Sequence, residues 1–371
     1  MVPTAADRRV DAPVESLTVS AYRIPTDFPE ADGTLAWDST TLVVVDVTAG
    51  GRSGQGYTYA DTATAEVIRS HLADTVRGRE AMAVAGAWEA MMHAIRNLGR
   101  PGIASMAISA VDAALWDLKA RLLDVPLMTL LGAVRDRISV YGSGGFTSYP
   151  PDRLAAQLAN WVDAGITRVK IKVGSHPDRD QERVSLARKA IGVTTELFVD
   201  ANGAYTRKQA LAFAEIFSRD HVVWFEEPVP SDDLDGLRLL RDRAPGDMAI
   251  AAGEYGYDLP YFRRMLEAQA VDVLQADATR CGGITGFLRV AALCEAFGIP
   301  LSAHTAPALH LHPCCAAAAV RHLEYFHDHA RIETMLFDGA SQPMGGALMP
   351  DLSRPGLGLE LKRADAERYR L

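Results

Sequence analysis

From about residue 136 to residue 340 the chain alternates between two patterns, and this alternation limits its fold more than any other feature. Short apolar runs end at polar residues: SVYGS, RVKIKV, LFVDAN, VVWFEEP, AIAAGE, VLQAD, PLSAHT and HLEYF. Between them lie amphipathic stretches of helical period, such as DRLAAQLANWVDAG, RKQALAFAEIFSRD and ITGFLRVAALCEAFG. Strands alternating with helices form a parallel sheet. About eight such units in roughly 200 residues close into a barrel rather than an open sheet.

Up to about residue 135 strands come first and helices after. VESLTVSAYRIP, TTLVVVDVTAGG and GQGYTY read as strands, with TDFPEADGTLAWDS as an irregular segment between the first two. Helical patterns follow in ATAEVIRSHLA, AVAGAWEAMMHAIRN and SMAISAVDAALWDLKARLL. This order predicts a small α+β domain. The division expected is therefore 1–135 for a capping domain and 136–340 for the barrel, with the Gly- and Pro-rich tail 341–371 returning to the cap.

The informative polar residues fall at the predicted strand ends. Lys172, Asp200, Glu226, Glu254, Asp277 and His304 are separated by 28, 26, 28, 23 and 27 residues, about one strand–helix unit each time. In a parallel barrel these ends converge on one mouth. Any one of the carboxylates could be a solvated loop residue. Three from consecutive units, Asp200, Glu226 and Glu254, would repel one another without a cation, and hard oxygen donors suit Mg²⁺, with Mn²⁺ as a substitute. Glu227 stands beside Glu226, and alternation alone does not choose between them.

Lys170 and Lys172 are two apart in VKIKVG and share a strand face, opposite Val169, Ile171 and Val173. The apolar set should face the helices, which sends both lysines into the barrel. Crowding by a second cation is expected to lower a lysine pKa toward general-base range. Asp277 one unit before His304 suggests a dyad in which the carboxylate fixes the imidazole tautomer. His310 and His312 read as helix residues or as supports of the site. His327 and His329, in HDH, read as part of the loop after the last strand.

In this order, VKIKVG, VDANG, WFEEP, AAGE, QAD followed by CGGITG, and SAH resemble the enolase superfamily, mandelate racemase subgroup. The resemblance covers nearly the whole chain. It implies an α/β fold, a modified TIM barrel under an N-terminal α+β capping domain. It also implies a Lys or His base working with Mg²⁺, one ion per chain. Residue by residue, Lys172 resembles the base, with Lys170 beside it, and Asp200, Glu226 and Glu254 the metal ligands. Asp277 and His304 resemble the dyad on the opposite face. Glu324 resembles the glutamic acid that hydrogen-bonds the substrate carboxylate, and Asn202 sits where a polar residue near the metal or substrate is usual. The segment Pro25 to Trp37, together with Tyr57, resembles cap loops that close over substrate, and Pro25–Trp37 is expected to be a mobile lid.

The implied chemistry is removal of the proton α to a carboxylate, giving an enediolate stabilised by the metal. Dehydration of an aldonic or aldaric acid to a 2-keto-3-deoxy acid is the favoured outcome. Racemisation, epimerisation and cycloisomerisation are the alternatives, and a silent metal-binding regulatory protein is the remote one. The partner expected is a small anionic carboxylate. The formal charge of -9 argues against a nucleic-acid or anionic-membrane surface. No run approaches the length of a membrane helix, and the N-terminus has no signal-like apolar core. Together with four cysteines that form no C-x-x-C pair, this suggests a cytoplasmic enzyme. A homo-oligomer is expected.

Overall fold

Alternating apolar residues pair the first strands into an antiparallel sheet. In the computed structural model, whose description covers residues 12–371, β1 (Ser16–Ala31) pairs with β2 (Ala36–Ala49), and β2 with β3 (Arg52–Tyr59). Val43, Val45 and Val47 form one core with Ile108, Val111 and Leu115 of helix Ile103–Leu122. Burying such side chains contributes about 1.5–3 kcal/mol each relative to exposure.

The eight predicted barrel strands are all present: β4 (Ile138–Gly144), β5 (Arg168–Lys172), β6 (Glu196–Asp200), β7 (Val222–Glu226), β8 (Ala249–Ala252), β9 (Val273–Ala276), β10 (Leu301–Ala303) and β11 (Val320–Phe326). Each is parallel to its neighbour, and β11 pairs with β4, which closes the barrel. The fold is a modified TIM barrel with an N-terminal cap. Val169 and Ile171 of β5 join the core under the helices, while Lys170 and Lys172 are buried in the interior. Below the mouth the lumen is filled by Tyr141, Phe198 and Trp224, the last two stacked at 5.1 Å.

The cap docks through buried polar contacts. The Thr285 N–H and Oγ1 donate to Asp112 at 2.9 and 2.7 Å, and Trp88 Nε1 donates to the Gly282 carbonyl at 2.7 Å. These contacts account for the glycines of CGGITG. Gly283 has φ +81°, and a Cβ there would lie 2.3 Å from Asp112 Oδ2. The tail also touches the cap. The Leu357 N–H donates to Asp117 at 2.6 Å, and the Leu361 N–H to Gln55 Oε1 at 3.0 Å.

The segment read as irregular is not so. β1 runs on to Ala31 and β2 begins at Ala36, so most of Pro25–Trp37 is a hairpin arm with a register shift between Pro25 and Glu30. Pro25 and Pro29 disrupt the alternation that marks a strand, yet a proline is tolerated where its missing N–H is not needed by the ladder. Asp32 closes the turn by accepting the N–H groups of Thr34 and Leu35. HDH is not a loop after the last strand, since it opens helix His327–Leu336. The four cysteines are buried and free. Among the described residues no helix is long and apolar enough to cross a membrane.

Candidate active site

Strand register builds the centre of the site. Lys172, Asp200 and Glu226 are successive partners across β5, β6 and β7, so their side chains emerge at one level of the mouth. Glu254 reaches the same level because the chain turns at Gly253. Its φ is +134°, and a Cβ there would meet the Gln275 carbonyl oxygen at 2.2 Å. Carboxylate oxygens of Asp200, Glu226 and Glu254 lie within 4.8 Å of one another, and all three residues are buried.

Two ammonium groups answer two of these carboxylates. Lys170 Nζ lies 2.5 Å from Glu226 and 2.9 Å from Glu324. Lys172 Nζ donates to Asp200, and to Asn202 Oδ1 at 3.1 Å. Glu254 Oε2 has no partner that meets hydrogen-bond geometry, although His304 Nε2 stands 3.3 Å away. Burial and the nearby Asp200 push Glu226 up to about 8. An all-oxygen set this crowded, with one oxygen unanswered, fits a hard divalent cation such as Mg²⁺.

Burial favours a neutral Lys172 and Lys170 adds to that effect, but the contact with Asp200 outweighs both and raises its pKa above the ordinary value. The neighbouring cation is the weaker influence, and the anion is in direct hydrogen-bond contact.

His304 faces the triad from β10. Its Nδ1 is 2.9 Å from Asp277 Oδ2, which leaves Nε2 toward the cleft. Burial alone would lower its pKa, but Glu254, Glu324 and Asp277 raise it to about 9. Glu324 accepts the Thr305 N–H at 3.1 Å. Burial disfavours its charge, yet Lys170 and His304 hold it down at about 2.

A cavity of about 470 Å³ opens over these groups, with Lys172, Glu254 and His304 in its walls. A larger one, about 600 Å³, lies beside helix Asp180–Ile191 and contains none of the strand-end groups. Trp37 and Asn202 line the 470 Å³ cavity. Tyr57 does not. It is buried, donates to Glu333 at 2.6 Å and stacks on Phe337, so its phenol is spent on cap–barrel packing. Tyr59, two residues on and at the end of β3, takes the wall position instead.

Sequence reasoning also missed Arg280 and His329, which line the cavity. Arg280 lies 3.6 Å from Glu254 and 3.5 Å from Asp277. Its position three residues after Asp277, at the close of a turn in which the Arg280 N–H donates to the Asp277 carbonyl at 2.9 Å, was the available signal. His310 and His312 sit in helix Pro307–Ala316, where His310 Nε2 accepts the Ala278 N–H at 2.7 Å.

Comparison with known proteins shows the family. Residues 17–132 match the family described as mandelate racemase / muconate lactonizing enzyme, N-terminal domain, and residues 153–366 match enolase C-terminal domain-like. A mandelate racemase/muconate lactonizing enzyme-like protein from Rubrobacter xylanophilus has 57% identity and a TM-score of 0.95, covering 97% of this chain and 100% of that one. L-talarate/galactarate dehydratase of Salmonella typhimurium is 34% identical over 281 residues, 74% of this chain and 70% of its own. Its crystal structure with Mg and L-lyxarohydroxamate has a TM-score of 0.89 at 28% identity, covering 100% of this chain and 95% of that one. 3,6-Anhydro-alpha-L-galactonate cycloisomerase of Streptomyces coelicolor is 32% identical over 360 residues, 94% of this chain and 97% of its own.

Proposed function

Because the chain belongs to the enolase superfamily, in its mandelate racemase subgroup, we propose that it dehydrates a sugar-derived hydroxy acid to a 2-keto-3-deoxy acid. One observation carries the reading. Lys172 and His304, from the second and seventh barrel strands, open on the same cavity with the Asp200, Glu226 and Glu254 carboxylates beside them. A planar intermediate between them would present one face to an amine and the other to an imidazole.

Lys172 removes the α-proton, and it can do so only as a neutral amine. Loosening its contact with Asp200 is therefore a condition of turnover. His304, oriented by Asp277, gives a proton to the departing β-hydroxyl, since imidazolium donates readily near neutral pH. Asn202 and Trp37 border the substrate. Lys170 and Glu324 form a neutral pair where the substrate carboxylate would sit, and an incoming carboxylate would compete with Glu324 for Lys170. Asp200, Glu226 and Glu254 would hold Mg²⁺, which supplies Lewis-acid stabilisation of the negative charge that develops on the substrate carboxylate.

Cycloisomerisation is the second reading, because the cycloisomerase relative matches 94% of the chain. The two are separated by incubating the Mg²⁺-loaded protein with a panel of aldonic and aldaric acids. Dehydration predicts accumulation of a 2-keto acid in a semicarbazide assay. Ring-closed or epimerised product without keto acid would replace it with the alternative.

A further inference from the structure

Helix His327–Leu336 begins directly after β11, and its first side chains reach the cap. His327 Nε2 lies 3.2 Å from Asp27, and Asp328 accepts from Thr40 and Arg331. His329 is placed differently. Its ring lies flat on Tyr59, with centroids 3.5 Å apart and planes 11° from parallel, and Phe326 meets it edge-on at 5.0 Å. These two rings fix the plane of the imidazole.

The tautomer is fixed as well. The Ala306 N–H donates to His329 Nδ1 at 3.3 Å, so Nδ1 carries a lone pair and the ring proton resides on Nε2. Burial, reinforced by the nearby His304 against the pull of Asp277, lowers the ring pKa to about 3. The imidazole is thus neutral at any pH where the protein would work. Among the described residues Nε2 has no hydrogen-bond partner, and it is not sealed from solvent. The residue is a wall of the cavity that holds Lys172 and His304, beside Thr41 and Asp61 of the cap. An oriented, uncharged N–H donor on a polar wall suits a hydroxyl oxygen better than a carboxylate, which would take a cation.

We infer that the cap-facing wall of the cavity, centred on His329 Nε2–H, is a subsite for a hydroxyl group on the substrate chain beyond the reacting carbons. The subsite would make the enzyme selective for polyhydroxylated acids over short ones. The inference rests on the reading of the cavity as a hydroxy-acid site and deepens it.

The test is calorimetric binding to Mg²⁺-loaded Lys172→Ala protein, which reads affinity without turnover. The probes are galactarate, a long polyhydroxylated acid, and lactate, which has no hydroxyl beyond C2. His329→Phe keeps a ring for Tyr59 to stack on and removes the donor. It should weaken galactarate binding by about tenfold, the scale of one hydrogen bond, and leave lactate unchanged. His329→Gln, which places an amide N–H near the Nε2 position, should recover most of the loss. His329→Leu, smaller and also without a donor, should reproduce the Phe result if the Phe variant folds poorly. Equal losses for both acids, or no loss for either, would overturn the inference while leaving the hydroxy-acid reading in place. If the His329-intact protein binds neither acid, the reading and the inference fall together.

Discussion

The strand-end carboxylates share few counter-charges, and their individual surroundings separate their roles. Glu226 takes Lys170 on one oxygen at 2.5 Å and Trp224 Nε1 on the other at 2.9 Å. Glu227 is buried beside it at φ +37°, with Oε1 unpartnered, and burial and Glu254 push its pKa well up. The carboxylate oxygens that lie within 4.8 Å of one another include Glu226 with Asp200 and Glu254, and not Glu227. Glu226→Gln should therefore weaken Mg²⁺ binding at least about tenfold, while Glu227→Gln should change it by less than about threefold. Titration of each variant with MgCl₂ decides this, and the reverse order would move the ligand to Glu227. These residues were legible because they recur in phase with the barrel repeat. The resemblance to cap loops that points to Tyr57 gives no depth along the strand. Tyr57 and Tyr59 share a face, yet only the one at the strand end reaches the cavity. His329 carried no periodic signal at all, since its position depends on how the cap sits.

Among the elements, the arm formed by the ends of β1 and β2 sets how the mouth is covered. Its tip packs on the ends of β5 and β6. A Cβ at Gly33 would lie 2.3 Å from the Ala201 carbonyl oxygen and 2.7 Å from that of Val173. The arm is tied down by Arg153 to Asp27 at 2.9 Å and by Ser148 Oγ to the Pro29 carbonyl at 2.6 Å. Glu30 sits within it, buried, accepting from Trp37 Nε1 at 2.8 Å and with Oε1 unpartnered. Burial first, then Asp328, raises its pKa to about 9. A raised carboxyl pKa means the folded state holds the proton more tightly. Its stabilising contribution is complete below the unfolded value, near 4.3, and is lost as pH rises toward 9. Glu30→Gln cannot ionise. Its melting temperature should gain on that of the wild type as pH goes from 5 to 9, and a constant difference would show that Glu30 does not titrate in that window. The barrel strands were readable because each is a short apolar run with a polar terminus. The arm was not, because two prolines break its alternation while cross-strand partners such as Glu30 and Trp37 still hold the pairing.

At the scale of the molecule, the site is complete only when cap and barrel meet, since Trp37 and Tyr59 come from one and Lys172 and His304 from the other. Asp112 is central to that contact. Asp112→Ala would strip the acceptor from the Thr285 N–H and hydroxyl in a buried interface, at a cost of about 1–3 kcal/mol. Urea unfolding should show the loss, with the isosteric Asp112→Asn variant retaining more stability. Equal stability of all three proteins would mean that the docking does not depend on this residue. The central claim is that Lys172 and His304 serve opposite faces of one substrate, with Lys172 as the abstracting base. It is tested most directly by NMR, following exchange of the substrate α-proton with solvent deuterium in Lys172→Ala and His304→Asn. Both variants should lose dehydration, and His304→Asn alone should retain exchange. Exchange and turnover persisting in both would contradict the account.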